Sequence, residues 1–331
     1  MEISKLMNSL QLKKTAKIVN RFLGSQIKGE PSQLYKAAAH LIVNGGKRLR
    51  PYMVVKSCQV LGGKTKEAMT AAGAVEMVHN FTLVHDDIMD NDEMRHGVPT
   101  THKRFGIPIA ILAGDVLFSK AFQVVSKANL PSKSTTELVS RLSKACVDVC
   151  EGQLLDIKMA ESKKIPTQNE YIKMISKKTA ALFDVSCSMG AICAKSKSKD
   201  ISNLSSFGKN LGIAFQITDD LIGVMGDPKV TKKPVGNDLR EGKKSLPILL
   251  AIKKAKGKNK KIILHAFGNQ KAKKKEIENA VLVIKSLGIE KSVRGQALRY
   301  AEKAKKSLNS YSGTSKNELI SLLDFVVKRS L

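Results

Sequence analysis

Apolar residues recur every three or four positions through most of this chain, which is the spacing of helices with one buried face. Glycine or proline interrupts the pattern near Gly62 and Gly63, at Pro131 and at Pro166. No segment alternates apolar and polar residues for long, so the pattern predicts an all-α helical bundle. Because no linker rich in Ser, Pro or Gly separates the motifs, we expect a single domain over residues 1–331.

Individual elements follow from the same spacing and from the positions of Gly and Pro. The segment 95–106 is predicted as a loop because Gly97 and Pro99 punctuate it. One continuous apolar helix is predicted after Pro166, with Lys178 and Thr179 inside it. The lysine-rich segment 253–275 is predicted as an exposed helix-loop-helix. Further helices are predicted over residues 34–43, 107–125, 136–159 and 204–225, with three amphipathic helices over 276–331.

Residues 76–101 begin as an apolar helix and then place Asp86, Asp87, Asp90 and Asp92 within seven positions. On a helix Asp86 and Asp90 project from one face about one turn apart. Two carboxylates held so close are stable when they share a cation. The available donors are hard oxygens, so the expected ion is Mg²⁺ and its natural co-ligand is a phosphate. The alternative is an ordinary solvated helix end.

A second acidic cluster repeats this arrangement. The sequence FQITDDLIGVMGD carries Asp219, Asp220 and Asp227 after another apolar helical lead-in. Basic residues follow both clusters: Arg95 follows the first, and Lys232, Lys233 and Lys243 follow the second. Two acidic helix ends that face each other across a cavity, each backed by cations, describe a site for a magnesium diphosphate.

The charge of the chain is strongly positive, with 57 Lys and Arg against 29 Asp and Glu and a formal net charge of +28. The lysines are spread along the chain and are not interleaved with aromatic residues, so a nucleic-acid partner is not expected. A lysine-rich surface that attracts anionic substrates fits better. It also leaves peripheral contact with an anionic membrane open.

The cysteines and the N-terminal residues bear on location. The five cysteines lie in apolar helical patterns and predict small core residues in a reducing compartment; they are Cys58, Cys146, Cys150, Cys187 and Cys193. The first residues lack the apolar core of a signal peptide, and no apolar run is expected to span a bilayer. We therefore expect a cytoplasmic protein without a transmembrane segment.

Seven motifs in this order make the chain resemble the trans-isoprenyl diphosphate synthases, most closely the archaeal-type short-chain enzymes that make geranylgeranyl diphosphate. The motifs are GGKRLRP, LVHDDIMD, AGD, GQLLD, KTAALF, FQITDD and KPVGNDLREGKKSLP. The resemblance covers nearly the whole chain. It implies a helical bundle around a central cavity, a homodimer, and a head-to-tail condensation of isopentenyl diphosphate with an allylic diphosphate.

The resemblance also implies roles for individual residues. Isopentenyl diphosphate would be held by Lys47, Arg50, His79 and the residue at position 96. The allylic diphosphate would be held by Arg95, Lys178, Lys233 and Lys243, with Thr179 and Gln216 lining the cation site. Three Mg²⁺ ions would bind through Asp86, Asp90 and Asp219. The residues implied for catalysis are Asp86, Asp87, Asp90, Asp219, Asp220, Lys178 and Lys233. Arg48 matches no such role.

Three positions depart from the commonest family pattern. His96 stands where a second arginine usually helps to hold isopentenyl diphosphate, so this grip should be weaker or pH-dependent. Gly223 replaces the last aspartate of the second DDxxD motif, a change that some archaeal-type short-chain synthases share. Lys232 replaces a glycine. His96 and Gly223 favour one rival reading, a weakly active subunit of a hetero-oligomeric synthase, whereas the retention of both aspartate pairs argues against it.

Product length is addressed by residues that precede Asp86 on the same helix. Phe81, Thr82 and Val78 should line the path of the growing tail. Phe81 resembles the floor residue of archaeal-type geranylgeranyl diphosphate synthases, whereas Thr82 is small where animal-type farnesyl synthases have a second aromatic residue. The expected product is C20, with a farnesyl or a longer-chain product as the alternative. Phe81 could instead be an ordinary core residue.

Overall fold

The computed structural model describes residues 10–226 and 235–328. Within these ranges the chain is helical apart from one short hairpin, which confirms the predicted all-α class. The elements are α1 Leu10–Gln26, α2 Ser32–Asn44, α3 Leu49–Val60, α4 Thr65–Met89, β1 Met94–Arg95, β2 Val98–Pro99, α5 Thr101–Phe105, α6 Ile107–Val125, α7 Ser132–Glu161, α8 Gln168–Ile175, a π-helical turn Ser176–Ala180, α9 Ala181–Cys193, α10 Ser198–Met225, α11 Asn237–Arg240, α12 Leu246–Lys254, α13 Gly257–Ala266, α14 Lys274–Ser286, α15 Ile289–Ser307 and α16 Thr314–Val327.

The chain divides into two compact units. The first comprises Met1–Cys146, Leu182–Gly208 and Leu308–Ser321. The second comprises Val147–Ala181, Lys209–Ser307 and Leu322–Leu331. The expectation of one domain over residues 1–331 stays a prediction.

The first unit is built around the pair α4 and α6. Helix α4 carries the apolar stretch AAGAVEMV, whose side chains are buried, and α6 contributes Ala110, Ala113 and Leu117 to the same core. The two helices approach closely at Gly114, where an added Cβ would lie 2.3 Å from the His85 ring. Such close packing orients the end of α4, where the first aspartate cluster begins.

The segment predicted as a loop after that cluster is a hairpin followed by a short helix. Met94–Arg95 pairs antiparallel with Val98–Pro99. His96 and Gly97, with φ of 54° and 81°, form the turn between them. Positive φ at both central residues is the geometry of a type I′ turn, which suits the twist of a hairpin. The loop prediction for 95–106 was therefore wrong for Arg95, Val98–Pro99 and Thr101–Phe105, because such short elements leave no readable periodicity.

In the second unit, the helix predicted around Lys178 is not a continuous α-helix. Thr167 and Glu170 cap its start, since the Glu170 N–H donates to Thr167 Oγ1 and the Thr167 N–H donates to Glu170 Oε2. The π-helical turn Ser176–Ala180 then interrupts it. Gly152 of α7 lies against this turn, because a Cβ there would stand 2.2 Å from the Lys178 nitrogen. Insertions of this kind often mark functional positions.

Four cysteines are buried, as predicted, but Cys150 is exposed and the core assignment was wrong for it.

The prediction that no apolar run is long enough to span a bilayer was wrong. In the described part of the chain, α6 is long and apolar enough to cross a bilayer, with a mean hydropathy of 1.5. Core helices of globular proteins meet the same two criteria, and α6 packs on α4, α2 and α5.

Candidate active site

A cavity of about 260 Å³ opens in the first unit beside the GGKRLRP segment. Four of the predicted substrate-binding residues line it together: Lys47, Arg50, His79 and His96. Both glycines of the segment are required by close neighbours. A Cβ at Gly45 would meet the His96 ring at 2.5 Å, and one at Gly46 would meet Arg48 Nη1 at 2.1 Å. The segment therefore folds tightly between the hairpin and a buried arginine.

Arg48 anchors the GGKRLRP segment through buried hydrogen bonds, a role that the sequence did not suggest. It adopts a left-handed conformation with φ of 54°, which a non-glycine residue takes only when its surroundings fix it. Its Nη1 donates to Glu76 Oε1 at 2.9 Å, its Nε donates to Asn20 Oδ1 at 2.7 Å, and its Nη2 donates to the Ile42 carbonyl. Arg48 and Glu76 are 3% and 2% exposed. The pair holds residues 45–50 in place through buried charge.

Arg50 and His79 form a second contact in the same cavity. Arg50 Nη1 lies 3.0 Å from His79 Nε2. A guanidinium can only donate, so Nε2 accepts and the ring proton of His79 is on Nδ1. Burial and the neighbouring Arg50 hold the pKa of His79 well below its usual value. Burial also lowers the pKa of Arg50 to about 10, which leaves it charged near neutral pH. His79 is therefore a neutral donor beside a permanent cation.

The first aspartate cluster separates into reachable and buried carboxylates. Asp87 is fully buried, and its Oδ1 accepts a 2.5 Å bond from Arg95 Nε. Burial raises the pKa of Asp87 to about 6, an effect that Arg95 opposes. Asp90 is exposed and Asp86 is half-buried, one turn apart, with the Asp90 N–H donating to the Asp86 carbonyl. Arg95 thus holds Asp87 and leaves the Asp86 and Asp90 positions nearer to solvent.

The donor set fits Mg²⁺ that arrives with a diphosphate. The reachable donors are carboxylate oxygens, the hard ligands that Mg²⁺ prefers. Among residues 10–226 and 235–328, no three His, Cys, Asp or Glu side chains are placed to hold an ion by themselves. An ion bound here would take its remaining ligands from substrate oxygens and water, as Mg²⁺ commonly does.

The second aspartate pair, in the second unit, shows the same division. Asp219 is exposed, whereas Asp220 is buried and bonded on both oxygens. Its Oδ2 accepts from Tyr171 Oη at 2.8 Å, and its Oδ1 accepts from Gln216 Nε2 at 2.8 Å and from Lys243 Nζ at 3.1 Å. Asp220 therefore organises its neighbours, and Asp219 is the carboxylate presented to solvent.

The π-helical turn presents Lys178 and Thr179. Lys178 Nζ pairs with Asp156 of the GQLLD motif, and Thr179 Oγ1 donates to Gln216 Oε1 at 2.8 Å. Gln216 also donates to Asp220, so Thr179 is linked to the second aspartate pair through one side chain. The structure thus brings together Lys178, Thr179, Gln216, Asp220 and Lys243 within the second unit.

Some functional candidates were missed or lie elsewhere. Asp227, Lys232 and Lys233 lie outside the described residues. The sequence could have indicated the role of Glu76, since it is the one charged residue within the apolar stretch AAGAVEMV. Arg48 was not predicted as a functional residue, because the family resemblance assigns it no role. Tyr171 carried no signal, because its position fits an ordinary buried face.

A row of aromatic rings in edge-on and tilted contact runs from α4, which bears the first aspartate cluster, to α6. Phe81 lies 4.7 Å from the His85 ring centroid and 5.2 Å from that of Phe118, which lies 5.0 Å from Phe122. Val78 is buried, and Thr82 is half-buried with its hydroxyl donating to the His79 carbonyl. Phe81 is therefore the first ring of an aromatic column that also contains Phe118 and Phe122.

Comparison with known proteins identifies the family. The model of the family described as polyprenyl synthetase matches residues 31–284. The geranylgeranyl diphosphate synthase of Sulfolobus acidocaldarius is 42% identical over 316 residues, 94% of this chain and 95% of that protein. The geranylfarnesyl diphosphate synthase of Aeropyrum pernix is 38% identical over 307 residues, 90% of this chain and 95% of that protein. The crystal structure of geranylgeranyl pyrophosphate synthetase from Pyrococcus horikoshii matches with a TM-score of 0.93 at 37% identity, over 100% of both chains. The chain therefore belongs to the polyprenyl synthetase family of prenyltransferases.

Proposed function

We propose that this protein condenses isopentenyl diphosphate with allylic diphosphates, head to tail and with Mg²⁺, to give the C20 product geranylgeranyl diphosphate. The observation that carries the proposal is the cavity in which Lys47, Arg50, His79 and His96 meet. It gathers cationic and N–H donor groups beside the helix that bears Asp86. These donor groups suit the diphosphate of isopentenyl diphosphate, whose carbon chain must lie near the metal-bound diphosphate of the allylic substrate.

Arg50 and His79 divide the work at the isopentenyl diphosphate. Arg50 is held by its bond to His79 and lies 4.7 Å over the Phe183 ring, so its guanidinium has a defined plane. It donates to phosphate oxygens, and the Nδ1–H of His79 supplies one further donor. Lys47 is exposed, lines the cavity and adds a positive charge there.

On the allylic side, the ammonium groups of Lys178 and Lys243 bind the diphosphate that leaves. Asp86 and Asp90 of the first unit, and Asp219 of the second, would each be ligands for Mg²⁺, which would supply neutralisation of the negative charge that builds on this leaving group. Thr179 and Gln216, which are hydrogen-bonded to each other, line the face where the allylic cation forms. The apolar helix walls exclude water that would quench the cation.

The aromatic column supports Phe81 as the floor for the growing chain. Its ring packs at a tilt against Phe118, which packs on Phe122, so a tail that reaches Phe81 meets packed side chains. The relatives described above make C20 or, by their name, geranylfarnesyl products, which brackets the expected length. We therefore assign the C20 product, with a C25 product as the alternative.

Incubation of the purified protein with Mg²⁺, labelled isopentenyl diphosphate and farnesyl diphosphate tests the proposal. We expect an extractable product that co-migrates with the C20 prenyl chain after removal of the diphosphate. No product from the protein alone would reject the enzyme and favour the rival reading, a subunit that needs a catalytic partner. A cyclic hydrocarbon would instead indicate a terpene cyclase.

Replacing His96 by arginine should lower the KM for isopentenyl diphosphate about tenfold at pH 7. Partial burial of the ring and the neighbouring Arg95 lower the pKa of His96, so the wild-type residue is neutral at this pH. Arginine adds a permanent, forked donor at the cavity mouth. Steady-state kinetics with a fixed allylic substrate measures the change.

The control for this variant is His265→Arg, which adds the same charge at an exposed position of α13. Because the pKa of His96 is lowered, the wild-type KM should fall only when the pH is taken below the ordinary titration range of an imidazole. The arginine variant, measured over the same pH range, corrects for ionisation of the substrate. An unchanged KM in the arginine variant would show that the side chain at position 96 does not contact isopentenyl diphosphate.

Replacing Phe81 by serine should lengthen the product by at least one C5 unit. The smaller side chain opens a path toward Phe118. Chromatography of the dephosphorylated products measures the distribution. The matched control is Phe122→Ser, which alters the far end of the same column and should leave the C20 product unchanged because Phe81 still blocks the tail. Identical distributions from wild type and Phe81→Ser would place the floor elsewhere.

We also propose a homodimer. Helix α6 leaves Ile107, Ile111 and Leu112 exposed, and Met89 at the end of α4 is exposed as well. Apolar side chains at this density on neighbouring helices of one unit are typical of a covered surface. Light scattering should give the mass of two chains. The cytoplasmic location remains a prediction.

A further inference from the structure

Gly223 stands one turn after Asp219 on α10, at the position where the resemblance leads one to expect an aspartate. A Cβ added there would lie 2.3 Å from Asp238 Oδ2 and 2.7 Å from Asp238 Cγ. No real side chain tolerates such distances. The carboxylate of Asp238 therefore occupies the space in which a side chain at position 223 would begin.

The backbone around Asp238 is fixed independently of its side chain. Gly236 has φ of 70° and packs so closely on α14 that a Cβ would lie 2.6 Å from Ile277. The Lys243 N–H donates to the Asp238 carbonyl at 2.9 Å, and the Gly268 N–H donates to the Leu239 carbonyl at 3.0 Å. Asp238 is thus presented to α10 by an anchored segment.

One partner of this carboxylate is Lys243. Its Nζ lies 3.5 Å from Asp238 Oδ2 and 3.1 Å from Asp220 Oδ1. The two carboxylates, Asp220 foremost, raise the pKa of Lys243 above its ordinary range against the effect of burial. Asp238 and Asp220 have side chains only 13% and 2% exposed, whereas the Lys243 side chain is 40% exposed. A buried carboxylate, Asp220, and a largely buried one, Asp238, therefore hold one cation that still reaches solvent.

We propose that Asp238 is a positioning residue which supplies, from outside α10, the carboxylate that Gly223 lacks. It holds Lys243, together with Asp220, in the orientation that binds the allylic diphosphate. This inference rests on the proposed function and explains why a glycine is needed at position 223: the space there is already filled by a carboxylate from another segment.

Four variants test the inference: Asp238→Ala, Asp238→Asn, Gly223→Asp and the double variant Gly223→Asp with Asp238→Ala. Titration calorimetry with Mg²⁺ and a non-hydrolysable thiolo analogue of farnesyl diphosphate measures the Kd, which does not depend on turnover. We expect both Asp238 variants to raise the Kd about tenfold, because a charge-assisted pair is lost. The KM for isopentenyl diphosphate should change less than twofold.

Gly223→Asp alone should also raise the Kd, since its side chain collides with Asp238. The double variant should recover the wild-type Kd to within threefold, because one carboxylate again lies beside Lys243. Two results would overturn the inference: an Asp238→Asn variant with the wild-type Kd, or a folded double variant no better than Asp238→Ala. If the wild-type protein does not bind the analogue, the proposed function fails instead.

Discussion

Replacing Asp86 by alanine should lower kcat by about a thousandfold, with the far-UV circular dichroism of the protein unchanged. Asp86 lies near the C-terminal end of α4. In the proposed function it would supply a hard oxygen to Mg²⁺ bound with the diphosphate, an interaction that would strengthen as charge builds on the leaving group. The loss should therefore appear in kcat more than in the KM of isopentenyl diphosphate. Asp219→Ala should behave in the same way.

The control for Asp86→Ala is Glu93→Ala, which removes an exposed carboxylate seven residues later on the chain. Single-turnover measurements over a range of Mg²⁺ concentrations should show that the Asp86 variant requires more metal and that the control does not. Activity of Asp86→Ala within a few fold of wild type would exclude Asp86 from the metal site.

Replacing Arg48 by alanine should lower the free energy of unfolding by about 3 to 5 kcal/mol at pH 7, because it leaves the buried Glu76 carboxylate without its main partner. Urea unfolding followed by circular dichroism measures the loss. The control is the double variant Arg48→Met with Glu76→Leu, which removes both charges and should lose much less stability. A loss below 1 kcal/mol in Arg48→Ala would show that the pair does not anchor the cavity.

The same variant should show a pH dependence of defined sign. Burial raises the pKa of Glu76, and the Arg48 guanidinium opposes this shift. Without Arg48 the folded state holds the Glu76 proton at a pH where the unfolded state has released it. Stability therefore falls as the pH rises from the unfolded pKa toward the raised folded pKa, and the deficit of Arg48→Ala should shrink at pH 5.

The helices could be predicted from the sequence because their signals are local. The break between α3 and α4 followed from Gly62 and Gly63, and α6 was placed at its observed residues, since periodicity and Gly or Pro act within a few positions. The all-α class could also be predicted from the sequence. The cavity residues Lys47 and His79 could be predicted through motif resemblance.

Other features depend on contacts between distant residues, which a single sequence does not encode visibly. The Tyr171–Asp220 bond joins residues 49 positions apart, and the Asp238 carboxylate fills the space at Gly223 through an approach of two segments. In the sequence, Gly223 reads as a lost ligand. In the structure, the Asp238 carboxylate occupies the space that a side chain at position 223 would need, because close packing leaves no room for both.

The π-helical turn Ser176–Ala180 makes the segment that bears Lys178 sensitive to chain length. A π turn accommodates one residue more than an α-helix over the same rise, which changes the angular phase of everything beyond it by about 100°. Tyr171 before the turn and Phe183 after it are both buried in the observed phase. Deleting a single residue such as Ser176 would restore ideal α-helical geometry and turn one of the two faces away from its core. We therefore expect a one-residue deletion in this segment to lower stability more than a substitution at the same position.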